Sequence, residues 1–266
     1  MSGVEQLLCM LLWTLEGMSR PTYRGMQSFE SWAHRNGFGP QLRELEQRTF
    51  IESRRPDAAK RILRLSEEAR LHALGGADPE ARWGSRWDGQ WRVVLFDLPR
   101  HEGTARRQLH RRLRAERFGL LQNSVWVSPH PVDREVLRLS NRGEDVGTLL
   151  MLEGRQMAGE SNGNIVSRAW DFEEVNHAYA IYLNFLAGLP ADVRSGTWGQ
   201  DGFSRWLRRE RHAWEEAFFK DPLLPERLLP RGYRGKKAWK KRKQVMTSLV
   251  REIVNASPRM ATAINK

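Results

Sequence analysis

The chain has 266 residues, enough for more than one compact unit with a core of its own. Its 44 lysines and arginines against 32 aspartates and glutamates give a formal charge of +12, more than solubility requires, and point to a polyanionic partner. A single cysteine, Cys9, excludes an intramolecular disulfide and a multi-cysteine zinc site, and the longest apolar run, near Leu7 to Leu15, falls far short of the roughly 20 residues that cross a bilayer. No basic stretch precedes that run and Glu5 lies inside its start, unlike a secretory signal, so a cytoplasmic protein without a membrane partner is expected.

From Val4 to Leu15, apolar residues at positions 4, 7, 8, 11, 12 and 15 follow the rhythm of an amphipathic helix, and Gly17 stops it. After Pro21, the residues Met26, Phe29, Trp32 and Ala33 repeat that spacing until Gly37 and Gly39 break it. Pro40 opens a third helix, PQLRELEQR, where its missing N–H has no intrahelical partner to lose. That helix turns Leu42 and Leu45 inward and leaves Gln41, Arg43, Glu44 and Arg48 outside. A strand TFIES, a polar tip RRPDAAK and a strand RILRL follow, and Ser66 is placed to cap the next helix, SEEARLHAL. Three helices and a two-stranded ribbon predict a winged helix-turn-helix over residues 1–80.

In that fold the second helix of the turn lies in the major groove with its N-terminal half at the base edges. Gln41, Arg43 and Glu44 are then the base-reading candidates. Arg48, Arg54, Arg55 and Lys60 are placed for phosphates, which position a protein without reading sequence. A solvated face on a protein-binding module is the competing account, and the charge of the chain favours double-stranded DNA.

The segment GGADPEARWGSRWDGQ reads as a linker. Beyond it, WRVVLFDL is a buried strand, EGTARRQLHRRLRAERFG a helix with Leu109 and Leu113 inward, and LLQNSVWVS a second strand. DREVLRLSN adds a helix and VGTLLMLEG a third strand. This alternation predicts a split βαβ, ferredoxin-like sheet with helices on one face over residues 87–160, and so an α+β protein.

Past AGESNGN the chain reads as helical over residues 165–266. FEEVNHAYAIYLNFLAGL opens behind Asp171 as N-cap and turns Val175, Tyr179, Tyr182 and Phe185 inward. A second helix runs from near Gly202 to Phe219, and DPLLPERLLP is a proline-bounded turn. The tail RGYRGKKAWKKRK carries eight basic residues and no acidic one, so it reads as surface rather than core, with cations on every side of a helix from Lys236 onward. Lys236, Lys237 and Lys240 thereby join the candidates for phosphate contact. The last residues, ASPRMATAINK, read as frayed.

Catalytic patterns are missing. The seven histidines are scattered without paired-ligand spacing, and no G-x-S-x-G, phosphate loop or dinucleotide fingerprint occurs. Cys9 sits among the leucines of the first helix as a structural thiol. These residues predict neither an enzyme nor a metal or cofactor site.

In order along the chain, WDGQWRVVLFDLP (Trp87 to Pro99), HRRLRAERFGLLQNSVWVSPH (His110 to His130), AWDFEEVNHAYAIYLNFL (Ala169 to Leu186) and DPLLPERLLP (Asp221 to Pro230) resemble the PaaX-type transcriptional regulators, whose namesake represses phenylacetate catabolism. The resemblance covers most of residues 87 to 230. It implies an N-terminal winged helix, a central ferredoxin-like domain similar to the CRISPR adaptation nuclease, and a helical C-terminal domain. The segment EGMSRPTYRGMQ and the basic tail depart from the family pattern. The family's best-known effector is an aryl-acetyl coenzyme A thioester. An acyl coenzyme A or other small anionic effector needs cations and an apolar slot, for which Tyr179 and Tyr182 are the candidates.

In the nuclease-like relatives, an aspartate ending the first strand of each protomer is proposed to hold a divalent metal across a dimer interface, and Asp97 matches that place. Metal-assisted hydrolysis needs hard oxygen ligands and an activated water, and only Glu102 adds a nearby carboxylate. Asp97 is therefore read as architectural, shaping the turn from strand to helix, with a metal-dependent nuclease as the alternative. A nonspecific nucleic-acid scaffold is a third possibility. The leading expectation is a homodimeric, sequence-specific regulator, a repressor on an inverted-repeat operator.

Overall fold

The computed structural model describes residues 2–17, 23–57, 60–97, 103–132, 149–189 and 200–256. Ser2 starts α1 (Gly3–Glu16) with a reciprocal cap: its hydroxyl accepts from the Glu5 N–H at 3.2 Å, and Glu5 Oε2 accepts from the Ser2 N–H at 2.7 Å. The latter bond holds the Glu5 carboxyl below the usual carboxylate range. Helices α2 (Tyr23–Arg35) and α3 (Gly39–Gln47) follow, then an antiparallel ribbon of β1 (Ile51–Asp57) and β2 (Lys60–Leu65). Helix α4 (Glu67–Leu74) is capped by Ser66, whose hydroxyl accepts from the Ala69 N–H at 3.2 Å as its spacing predicts. The ribbon extends further into the polar tip than TFIES and RILRL anticipate, because β1 runs on to Asp57 past a register irregularity between Arg54 and Asp57.

A short helix, α5 (Pro79–Trp83), interrupts the expected linker. Next come β3 (Trp91–Phe96), α6 (Gly103–Ala115), β4 (Gly119–Gln122), β5 (Val125–Ser128) and β6 (Leu149–Gly154). Their order in the sheet is β4-β5-β3-β6 with every neighbouring pair antiparallel, so β5 separates the parallel pair joined by α6, the split βαβ arrangement. LLQNSVWVS is a hairpin rather than the single strand expected. Asn123 at its turn has φ of 45°, a left-handed conformation that asparagine tolerates better than most residues.

Leu109 and Leu113 of α6 pack on Val94, Phe96 and Trp126. The opposite face is covered too, where Trp91 and Val127 meet Val166 and Ala169 of α7 (Asn162–Ala169) together with Leu224 and Leu228. This corrects the expectation of helices on one face. Gly119 makes the second layer possible, since a Cβ there would lie 2.5 Å from the Trp170 ring and 2.7 Å from the Ala169 carbonyl. The helix DREVLRLSN and the terminal residues 257–266 lie outside the described residues.

The remaining elements are α8 (Phe172–Ala187), α9 (Gln200–Phe218), a 3-10 turn (Glu226–Leu228) and α10 (Gly235–Ala256). Asp171 caps α8, accepting from the Glu174 N–H at 2.9 Å. Two compact units result: Met1–Asp78 with Ala180–Glu215 and Lys236–Lys266, and Pro79–Tyr179 with Glu216–Gly235. The C-terminal helices are thus divided between the units, whereas the sequence boundaries cut the chain into three consecutive segments. In the first unit this encloses α1 on every side. Residues 7–13 are all buried, because α2, α3 and α4 pack on one side while Ser204 of α9 and Trp239 of α10 reach the other. Among the described residues no helix is long and apolar enough to cross a membrane.

Candidate nucleic-acid interface

The approach to α3 is fixed by backbone chemistry. Gly37 has φ of +76° and lets the chain reverse after α2, the Phe38 N–H donates to the Ala33 carbonyl at 2.8 Å, and the Phe38 ring stacks on Trp32 at 5.5 Å. Leu42 and Leu45 then bury the inner side of α3. Arg43 and Arg48 are exposed as their spacing predicts, and Glu44 accepts an ion pair from Arg48 at 2.5 Å. Such an exposed pair contributes about 0–1 kcal/mol, so either partner exchanges readily for another charge. Gln41 is only half exposed, since its amide lies beside Gly3 of α1. Arg54 and Arg55 belong to β1 and Lys60 opens β2, and their side chains lie outside what the structure describes.

Lys237 and Lys240 on α10 are exposed and Lys236 is half-buried. The expectation that this basic run is surface on all sides is corrected by the other positions of the same helix. Ala238, Trp239, Arg242 and Met246 recur at helical spacing and form a buried stripe. Arg242 is 1% exposed and donates to Glu210 through Nε at 2.8 Å and Nη2 at 3.2 Å. Its guanidinium stacks between Trp13, at 5.2 Å, and Trp214, at 4.5 Å. Burial disfavours the Arg242 charge, but Glu210 and the Tyr182 oxygen more than offset it, and its pKa lies above the ordinary value.

The two tyrosines proposed for an effector slot are both fully buried and belong to separate networks. Tyr182 donates to Glu210 Oε1 at 2.6 Å. Tyr179 donates to Asp221 Oδ2 at 2.6 Å, where Tyr233 also donates, and Asp221 Oδ1 accepts from the Leu223 N–H at 2.8 Å. Desolvation pushes both tyrosine hydroxyls well above their usual range, so they remain protonated donors. Neither side chain offers a surface to a ligand, because each is saturated by an internal carboxylate. Nothing in the local sequence marks Glu210 or Asp221 as those partners, since Glu210 sits within the charged run RRERH.

Asp97 follows β3 directly and is exposed, and Glu102 lies outside the described residues. Among the described residues no group of three or more histidine, cysteine or acidic side chains is placed to hold a metal. Burial pushes the Cys9 thiol up to about 11, which keeps it protonated and unreactive at neutral pH.

The split βαβ sheet with its antiparallel strands defines the middle of the chain as a Cas2-like domain, and residues 84–166 match the family described as PaaX protein central Cas2-like domain. Residues 170–263 match the PaaX-like protein C-terminal domain. The chain belongs to the PaaX family. Membership suggests a transcriptional regulator, a class that is typically not enzymatic. In fold it is similar to the uncharacterized protein Rv0674 from Mycobacterium tuberculosis, with 19% identity, a TM-score of 0.53 and 84% of each chain covered. No curated protein matches the sequence.

Proposed function

We propose that the protein is a DNA-binding transcriptional regulator, a repressor that grips an inverted-repeat operator as a homodimer through an N-terminal winged helix-turn-helix. The observation that carries this reading is Arg43, exposed on α3 between the buried anchors Leu42 and Leu45, in a chain of net charge +12 and regulatory family. A side chain on a rigid, core-anchored helix is suited to reading a base edge, and arginine is the residue that reads guanine by two hydrogen bonds. Arg48, Arg54, Arg55, Lys60, Lys236, Lys237 and Lys240 would supply phosphate contacts and Glu44 a lesser base contact, whereas Gln41, whose amide packs against Gly3 of α1, is left out of the reading set. Release would follow from a small anionic effector of the acyl coenzyme A type that binds the DNA-free state more tightly.

A panel of operator variants separates these roles. Arg43→Ala is expected to cost about 1–3 kcal/mol and to relax discrimination at one position of each half-site. Arg54→Ala is expected to weaken all sequences together and to lower the salt slope by about 0.9. Identical behaviour of the two variants across the panel would show that α3 does not face the bases.

A further inference from the structure

The second compact unit carries a cleft of about 820 Å³ that none of the DNA contacts proposed above uses. Its wall is formed by residues 83–89, between α5 and β3, and is completed by Arg155 after β6, Asn162 at the start of α7, and Glu226 and Arg227 of the 3-10 turn. Three arginines line it, Arg86, Arg155 and Arg227. All three residues are exposed, and none has an ion pair or hydrogen bond among the described residues.

Little negative charge answers them. Asp88 on the same wall is already held, its two oxygens accepting from Arg92 at 3.0 and 2.5 Å, which draws its carboxyl below the usual range. Glu226 is the remaining carboxylate of the wall, so three cations face one anion. The geometry is also prepared. Gly89 has φ of +81°, and the Arg155 guanidinium lies over it, its Nε 3.8 Å from where a Cβ would stand. Asn162 is the first residue of α7, so the positive end of that helix adds to the cleft. Trp87 is fixed by donating from Nε1 to the Gln90 carbonyl at 2.9 Å and by packing edge-on against Trp91 at 5.5 Å, which leaves a rigid flat ring on the wall.

We propose that this cleft binds a phosphorylated small molecule, its phosphate oxygens held by Arg86, Arg155 and Arg227 and its organic part laid against Trp87. Guanidinium forks match phosphate oxygens two at a time, and a phosphate carries the second negative charge that a single carboxylate lacks. The volume falls within the roughly 300–1,000 Å³ of small-molecule sites and exceeds what phosphate alone fills, leaving room beside the indole.

Calorimetric titration of the full chain with inorganic pyrophosphate, at fixed ionic strength and without DNA, tests the site. Saturable one-to-one binding is expected, weakened about tenfold by Arg155→Ala or Arg227→Ala and only partly by Arg155→Lys. Arg111→Ala, which removes an exposed arginine of α6 outside the cleft, is expected to bind like the wild type. Citrate, a polyanion without phosphate, is expected to bind at least about tenfold more weakly than pyrophosphate. The substituted arginines are exposed, so the variants should melt as the parent does. Binding that does not saturate, an equal loss in Arg111→Ala, or citrate binding as well as pyrophosphate would overturn the proposal. So would a short DNA duplex displacing pyrophosphate with the same dependence on Arg155 and Arg227, which would make the cleft a nucleic-acid contact. Because the assay contains no DNA, its failure would leave the operator-binding reading standing.

Discussion

Replacing Glu210 with alanine is expected to lower the unfolding free energy by about 3–5 kcal/mol, the cost of leaving one partner of a buried ion pair alone. The loss falls on Arg242, which would keep its charge between two indoles with no carboxylate to receive it, and on Tyr182, whose hydroxyl would lose its acceptor. Chemical denaturation of the variant measures the effect. The double variant Glu210→Leu with Arg242→Met is expected to recover most of it, because replacing both charges by apolar groups removes the desolvation penalty as well as the attraction. A change in Glu210→Ala of less than about 0.5 kcal/mol, the scatter of ordinary surface substitutions, would show that the pair is not closed off from water. This network ties α10 to α1 and α9 inside the first unit, so it sets how the basic tail is held.

Stability is expected to fall by up to roughly 3 kcal/mol through His130 alone as pH drops from about 6.5 to about 4. Burial, aided by the positive charges of Arg82 and Arg117, pulls the His130 pKa down to about 4, while its ring Nε2 lies 3.1 Å from the Leu223 carbonyl. In that window the unfolded chain binds the proton and the folded chain does not. Acid therefore favours unfolding, and the contribution is fully present only above the unfolded value. His130→Gln keeps a side-chain donor for the Leu223 carbonyl and does not titrate. Denaturation midpoints across the window are expected to show a flatter pH dependence in this variant, and an unchanged slope would place the acid sensitivity elsewhere.

The elements with a local signature were legible in the sequence. Helix α3 announced itself through Pro40 and the Leu42–Leu45 spacing, α4 through Ser66, α8 through Asp171, and the sheet strands through apolar runs bounded by turns. The elements that were missed depend on partners distant in the chain. Helix α7 begins in the polar stretch SNGN and is held by the sheet face that Gly119 opens to it, which no local pattern records. The tail shows the same limit. Its composition reads as solvated surface, yet Arg242 is core because Glu210, 32 positions earlier, lies opposite it. Tyr179 and Tyr182 were correctly placed on the inner side of α8, but burial there is too complete for ligand contact. The arginines of the cleft were equally invisible, since Arg86, Arg155 and Arg227 come from three separate segments.

Recognition of a specific operator through α3 is decided by footprinting on the DNA upstream of the protein's own gene. The wild-type chain is expected to protect an inverted repeat whose half-sites are separated by one helical turn, roughly 34 Å, or a multiple of it. Arg43→Ala is expected to lose that protection at concentrations where nonspecific retention of the same fragment is unchanged. Uniform protection with no repeat, or a wild-type footprint in Arg43→Ala, would show that α3 does not read an operator.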